Sequence, residues 1–239
     1  MALRSLVTGI GRAVRETGQA LDRLGCTIQG NMVAREGLSR HRRISPLYDL
    51  KPQIGVDTFI APSASVVGNV SLGSKTSVWY NTVIRAERDA ISIGENSSIG
   101  DHATIVADKG PATLGQSVTV GNGCTLVSCT IEDRASVQLG AVVQSGAVVE
   151  TEAVVSAGSV VESDTTVPTG QLWAGNPAQF VRALTEQERA SLPVAAENFY
   201  KLGREHLEQH ERTNKEFDEQ MHPELYRQGE VDAEALYKF

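Results

Sequence analysis

Aliphatic residues fall at every sixth position through the middle of the chain. They stand at Ile54, Ile60, Val66, Leu72, Val78 and Ile84, then at Ile93, Ile99 and Ile105. The pattern continues at Leu114, Val120 and Leu126, and again at Ile131, Val137, Val143, Val149, Val155 and Val161. These eighteen hexads run in four phases, so a second periodic slot is needed to establish a repeat. It lies four residues after each aliphatic, where small residues recur: Thr58, Ala64, Val70, Thr76, Thr82, Ser97, Ala103, Val118, Cys124, Thr130, Ala135, Ala141, Ala147, Ala153, Ser159 and Thr165. Only Arg88 and Lys109 break the rule. Both lie where the phase slips by three residues, between 84 and 93 and between 105 and 114, and there a loop is expected to leave the coil.

A six-residue period with one large and one small inward slot predicts a parallel β-helix of hexapeptide repeats over residues 54–165. Glycine often follows the aliphatic (Gly55, Gly73, Gly94, Gly100, Gly115, Gly121), as expected where short strands meet at a sharp bend. Three bends per turn give a triangular prism. Eighteen hexads then make six rungs, stacked about 4.8 Å apart, each aliphatic resting on its counterpart one rung away. An antiparallel barrel or sandwich has a period of two, which does not generate this register. Grouping the hexads in threes puts residues 84, 105 and 126 on one corner, and every phase slip occurs there. That interrupted edge is the expected place for special chemistry or partner contacts.

Residues 1–50 read as a helix and linker, 51–168 as the coil, and 169–239 as an exit turn, a second helix and a polar tail. Near the start, Leu3, Leu6, Val7, Ile10, Val14, Ala20, Leu21 and Leu24 mark one face of a helix. Such a basic amphipathic segment docks on a protein, lies on an anionic membrane surface, or is a cleaved targeting peptide. After the coil, Thr185 and Glu188 form a capping box. The helix it opens carries Leu192, Ala196, Phe199, Tyr200 and Leu202, and is expected to lie along a prism face. His206, His210 and His222 read as solvated positions, with a partner-binding tail as the other reading.

Charge sharpens this division. The net charge is −7, yet residues 1–43 hold eight arginines against Glu16, Asp22 and Glu36, while residues 185–239 hold thirteen acids against seven bases. Neither end makes the domain a nucleic-acid-binding surface. Three cysteines, Cys26, Cys124 and Cys129, are too few for a disulfide framework and indicate buried thiols in a reducing compartment.

The hexads, the Arg85-x-Glu87 pair, the loop interruptions and the run Trp173-Ala174-Gly175-Asn176-Pro177-Ala178 resemble the γ-class carbonic anhydrases over residues 54 to about 200. The stretch Gly18-Gln19-Ala20-Leu21-Asp22-Arg23-Leu24-Gly25, with Gln29-Gly30 and Leu38-Ser39-Arg40-His41-Arg42, is similar to a narrower group, the γ-carbonic anhydrase subunits of mitochondrial respiratory complex I in plants, algae and some protists. The resemblance implies a left-handed β-helix, a trimer, and a zinc ion at each interface held by two histidines of one chain and one of its neighbour. The positions it assigns to the paired histidines are Val106 and Val127, and to the neighbour-facing one Asn122. The family's glutamine near the metal falls at Gly100.

Residues 106 and 127 each follow the aliphatic of the interrupted corner, so their side chains are expected to stack, with Arg85 one rung earlier in the same column. Zinc needs lone-pair donors, and valine has none. Without the metal no water is acidified to a nucleophile at neutral pH. His102 with Cys124 and Cys129 is the remaining metal-ligand set in the coil, though Cys124 falls in a small inward slot. Arg85 and Glu87 read as an interface ion pair within or between chains.

The expectation is therefore a non-catalytic structural subunit that binds no cofactor itself, in a heterotrimer with other γ-carbonic anhydrase-like chains on the matrix side of the mitochondrial inner membrane. Zinc would remain only at the interface between the two partner chains. Leu3, Leu6, Ile10, Val14 and Leu21 would anchor it to membrane-arm subunits of complex I or to the lipid surface. An active or bicarbonate-binding carbonic anhydrase and a hexapeptide-repeat acyltransferase are the alternatives.

Overall fold

The computed structural model describes residues 41–47 and 50–221, with side chains through His210, and several helical positions between Val14 and Ile28. The chain divides into two units, residues 1–40 and 41–239. In the first, the described positions Val14, Thr17, Gly18, Ala20, Leu21, Leu24, Gly25 and Ile28 are helical, and Val14, Leu21, Leu24 and Ile28 are all more than half exposed. Leu3, Leu6 and Ile10 lie outside the described residues. Among the described residues no helix is long and apolar enough to cross a membrane.

The second unit is a left-handed parallel β-helix with a helix along it. Its first face stacks Ile44, Val66, Ile84, Ile105, Leu126, Val143 and Val161. The second stacks Ile54, Leu72, Ile93, Leu114, Ile131, Val149 and Val167. Along the third run Ile60, Val78, Ile99, Val120, Val137, Val155 and Trp173. The expected six rungs are thus an undercount. Ile44–Ser45 pairs with Val66–Val67 ahead of the expected start, and Val167 and Trp173 extend the stack beyond it.

The large slots of the middle rungs are fully buried, from Val66 to Val161. Ile54 is 39% exposed, because no rung covers it. Where the phase slips, the small slot is not four residues after the preceding aliphatic but two before the next. Ile91 and Ala112 fill it beyond Arg88 and Lys109. In the shortened hexad Cys129 fills it, and Thr130, expected inside, is exposed.

The glycines that follow the aliphatics do not make the bends. The left-handed backbone falls two residues later, at Asp57, Lys75, Asn96, His102, Ser117 and Gly123. The glycines are required instead by close approach: a Cβ on Gly94 would stand 2.5 Å from the backbone of Gly115 on the next rung. In the later rungs Glu132 and Glu150 occupy the equivalent corner, and their carboxylates accept hydrogen bonds from the backbone N–H groups of Thr151 and Thr169. One corner is therefore stacked in two ways, by bare backbone and then by carboxylate caps.

The first interruption is not a break in the sheet. Val83–Ile93 is one continuous strand pairing with Ser65–Leu72, and its extra residues bulge between the Gly68–Ala86 and Val70–Ile91 pairs. The same insertion follows one rung later between Ala107 and Ala112. There the Asp108 and Lys109 N–H groups donate to Ser128 Oγ of the rung beyond, at 3.0 and 3.1 Å.

After the hairpin of Gln171–Gly175 and Ala178–Ala183, the helix Glu186–Met221 packs on the third face. Its capping box forms as the sequence predicts: the Glu188 N–H donates to Thr185 Oγ, and the Thr185 N–H to Glu188. Arg182 holds the same carboxylate with two hydrogen bonds of 2.7 and 2.8 Å. Of the apolar residues expected on the docked face only Ala196 is fully buried, while Phe199 and Leu202 remain 40% and 42% exposed. Small residues set the seam: a Cβ on Gly203 would meet the Phe59 ring at 3.3 Å.

Candidate functional site

On the first face the column expected from the repeat is present. Val67 pairs with Arg85, Arg85 with Val106, and Val106 with Val127. Alternation along each strand turns Ile84, Ile105 and Leu126 into the core and the residues after them outward. A bulge at residues 87–90 and, one rung later, a loop at residues 108–111 that leaves the coil between two strands flank the column. It therefore presents one guanidinium and three isopropyl groups along an edge where side chains one rung apart are direct neighbours.

Arg85 and Glu87, two residues apart on one outward strand face, form an ion pair with Nε 3.2 Å from Oε1. Both side chains are about half exposed, so the pair adds little to stability in the isolated chain. It lies within the chain.

Asn122 is on the turn after the third-face strand Thr119–Val120. Its side chain folds back along the stack, with Oδ1 accepting the Asp101 N–H at 3.0 Å. Asp101 in turn accepts the Tyr80 N–H at 3.0 Å. The same Asn122 oxygen fills the space over Gly100, where a Cβ would approach it to 2.4 Å. The residue at position 100 and the direction of Asn122 are thus physically coupled. A cavity of about 140 Å³ opens beside them, beneath Phe199 and Leu202 of the helix.

Zinc does not fit this donor set. Val106 and Val127 offer no lone pair, and the Asn122 oxygen is already engaged as a turn cap. The second set considered from sequence is not brought together. His102 is exposed on a turn, whereas Cys124 and Cys129 are in the core. The Cys124 thiol donates to the Gln138 carbonyl at 2.9 Å, and burial pushes the Cys129 thiol up to about 12.

A different cluster, built on two of the histidines that the sequence reads as solvated, forms at the edge of the third face. Tyr80 Oη is 2.9 Å from His206 Nδ1 and 2.8 Å from His210 Nε2. His206 also stands edge-on to Trp79 at 5.2 Å. The i, i+4 spacing of the histidines was the available signal. Its partner, 126 residues earlier than His206, was not readable without the fold.

No family model matches the chain. It is 39% identical over 204 residues to gamma carbonic anhydrase 1, mitochondrial, of Arabidopsis thaliana, covering 82% of this chain and 74% of that one. With gamma carbonic anhydrase 3, mitochondrial, of the same plant it shares 37% identity over 233 residues, 94% of this chain and 90% of the other. Among solved structures, a hexapeptide transferase family protein from Anaplasma phagocytophilum superposes with a TM-score of 0.65 at 36% identity, covering 67% of this chain and 96% of that one.

Proposed function

The chain belongs to the γ-carbonic anhydrase family, and from that premise we propose that it is a non-catalytic structural member which completes a trimer with related chains. The observation that carries the proposal is the stacked column Arg85, Val106 and Val127, with valine at both positions that the resemblance assigns to paired histidines. Asn122, at the third position, caps the turn of its own chain. Each family site takes two ligands from one chain and one from the next, so this chain lacks ligands toward both of its neighbours. Only the interface between two partner chains retains a complete set.

The mitochondrial relatives support a mitochondrial location. The finer assignment is to the matrix side of the inner membrane, attached to the membrane arm of complex I. It rests on the amino-terminal likeness and on the exposed apolar positions Val14, Leu21, Leu24 and Ile28. In this reading the prism is a rigid spacer and the amino-terminal helix its anchor. Arg85, half exposed beside the column, leaves room for bicarbonate binding without turnover.

The test is zinc content and carbon dioxide hydration, measured on the isolated chain and on the native trimer. The isolated chain is expected to hydrate carbon dioxide no faster than buffer, and the native trimer to hold at most one interfacial zinc. Hydration by the isolated chain, or more than one interfacial zinc per trimer, overturns the proposal. Removing residues 1–25 releases the trimer from its complex if the helix is the anchor; unchanged assembly assigns attachment elsewhere.

A further inference from the structure

The histidines of the C-terminal helix do not face solvent alone. His206 and His210, one turn apart, aim Nδ1 and Nε2 at one oxygen, Tyr80 Oη, from 2.9 and 2.8 Å. All three residues are half-buried where the helix crosses the edge of the third face. Beside them opens a pocket of about 500 Å³, whose other lining residues are Glu205, Glu208 and Gln209. The surroundings are acidic: Glu205 and Glu208 on the helix, and Asp101 on the coil turn next to Tyr80. Among the described residues of the helix, Arg204 is a neighbouring cation, and it is turned toward Asp57 and Glu208.

Two imidazole nitrogens within hydrogen-bond length of one phenol oxygen set three donors side by side for a borderline transition metal, with the pocket side open for water. Nitrogen-to-oxygen separations of hydrogen-bond length need to widen by about half an ångström to admit a tetrahedral ion about 2.0–2.1 Å from each donor. Among the described residues no three His, Cys, Asp or Glu side chains converge, so the third donor here is a phenol.

We propose that Tyr80, His206 and His210 form a binding site for a divalent transition ion, Zn²⁺ or Cu²⁺, which staples the C-terminal helix to the coil. In the metal-free chain the phenol is a hydrogen-bond partner of the imidazoles, and burial, then the Asp101 carboxylate, push its pKa above the ordinary value. On binding, the phenol releases its proton to solvent and its oxygen takes the metal, while both imidazoles bind as neutral bases. Occupancy therefore rises with pH. Glu205, Glu208 and Asp101 favour the cation, and Arg204 opposes it. This site is separate from the Arg85, Val106 and Val127 column and holds whether or not that column is catalytically silent.

The experiment uses the full, tag-free chain after chelator treatment, titrated with Cu²⁺ and, separately, Zn²⁺ at pH 6 and pH 8. The expected result is one equivalent bound, at least tenfold more tightly at the higher pH, with a phenolate-to-copper absorption band in the visible. Tyr80→Phe keeps the ring packing and abolishes the band. His210→Ala weakens binding at least tenfold, and His206→Gln does the same while preserving side-chain volume. Absence of stoichiometric binding to the wild-type chain overturns the proposal. So does binding with an unchanged band in Tyr80→Phe, or unchanged affinity in His210→Ala with circular dichroism matching wild type.

Discussion

The outward column of the first face and the helix junction of the third are built by different rules. Val67, Arg85, Val106 and Val127 are consecutive rungs of one repeat, so across rungs each position pairs with its own equivalent above and below. Tyr80 instead meets His206 and His210 across a helix that does not obey the repeat. Across its rungs a solenoid ladder mainly stacks equivalents, and a column of stacked aliphatics offers no donor groups. Unlike donor groups come together where a second kind of element crosses the stack.

The sharpest way to break this contrast is within one strand. Leu126 is fully buried and Val127 faces outward. Leu126→Ala is expected to lower the unfolding free energy by about 2–5 kcal/mol in urea titration. Val127→Ala should cost about 0.5 kcal/mol, as an outward substitution does. Equal losses in the dissociated chain would mean that the column is not an outward surface. A Val127→Ala loss seen only in dissociation of the proposed trimer would place the column in an interface.

Gly100→Gln has the next largest effect. The added Cβ meets Asn122 Oδ1 and backbone atoms of the next rung, so overpacking should cost about 1–3 kcal/mol. Combining it with Asn122→Ala should recover only part of the loss, since the backbone contact remains. Full recovery would assign the whole restriction to the Asn122 side chain.

The smallest expected effect tests how the helix is started. The Glu188 carboxyl is lowered from 4.5 to about 2, first by the Arg182 hydrogen bonds and then by those from Thr185. A depressed folded-state pKa gives a contribution fully present above pH 4.5 and lost as pH falls through about 2. Acid titration of helicity by circular dichroism should show this component, and Glu188→Gln should remove it. An identical acid profile in the variant would detach the capping box from helix stability.

The column was legible in advance because its geometry follows from a period: once Ile84, Ile105 and Leu126 are equivalent, so are Arg85, Val106 and Val127. The interruption was legible as a place but not as a form, since a phase slip does not distinguish a departing loop from the bulge inside Val83–Ile93. Cys129, read from sequence as a buried thiol, was not assigned its core slot for a related reason: counting forward through a shortened hexad lands on Thr130. Composition made residues beyond 204 look like a solvated tail, yet Gly203 lets the helix approach Phe59 closely enough for His206 and His210 to reach Tyr80.

By itself, then, the sequence determined the period, the inward and outward sense of nearly every coil residue, and the absence of histidine at positions 106, 122 and 127. Each follows from local alternation or from residue identity. Only the tertiary structure decided which glycines turn the chain and which merely make room, where Asn122 sends its oxygen, and that two helix histidines share one tyrosine. These depend on distances between segments far apart in the chain, which a periodic pattern does not encode.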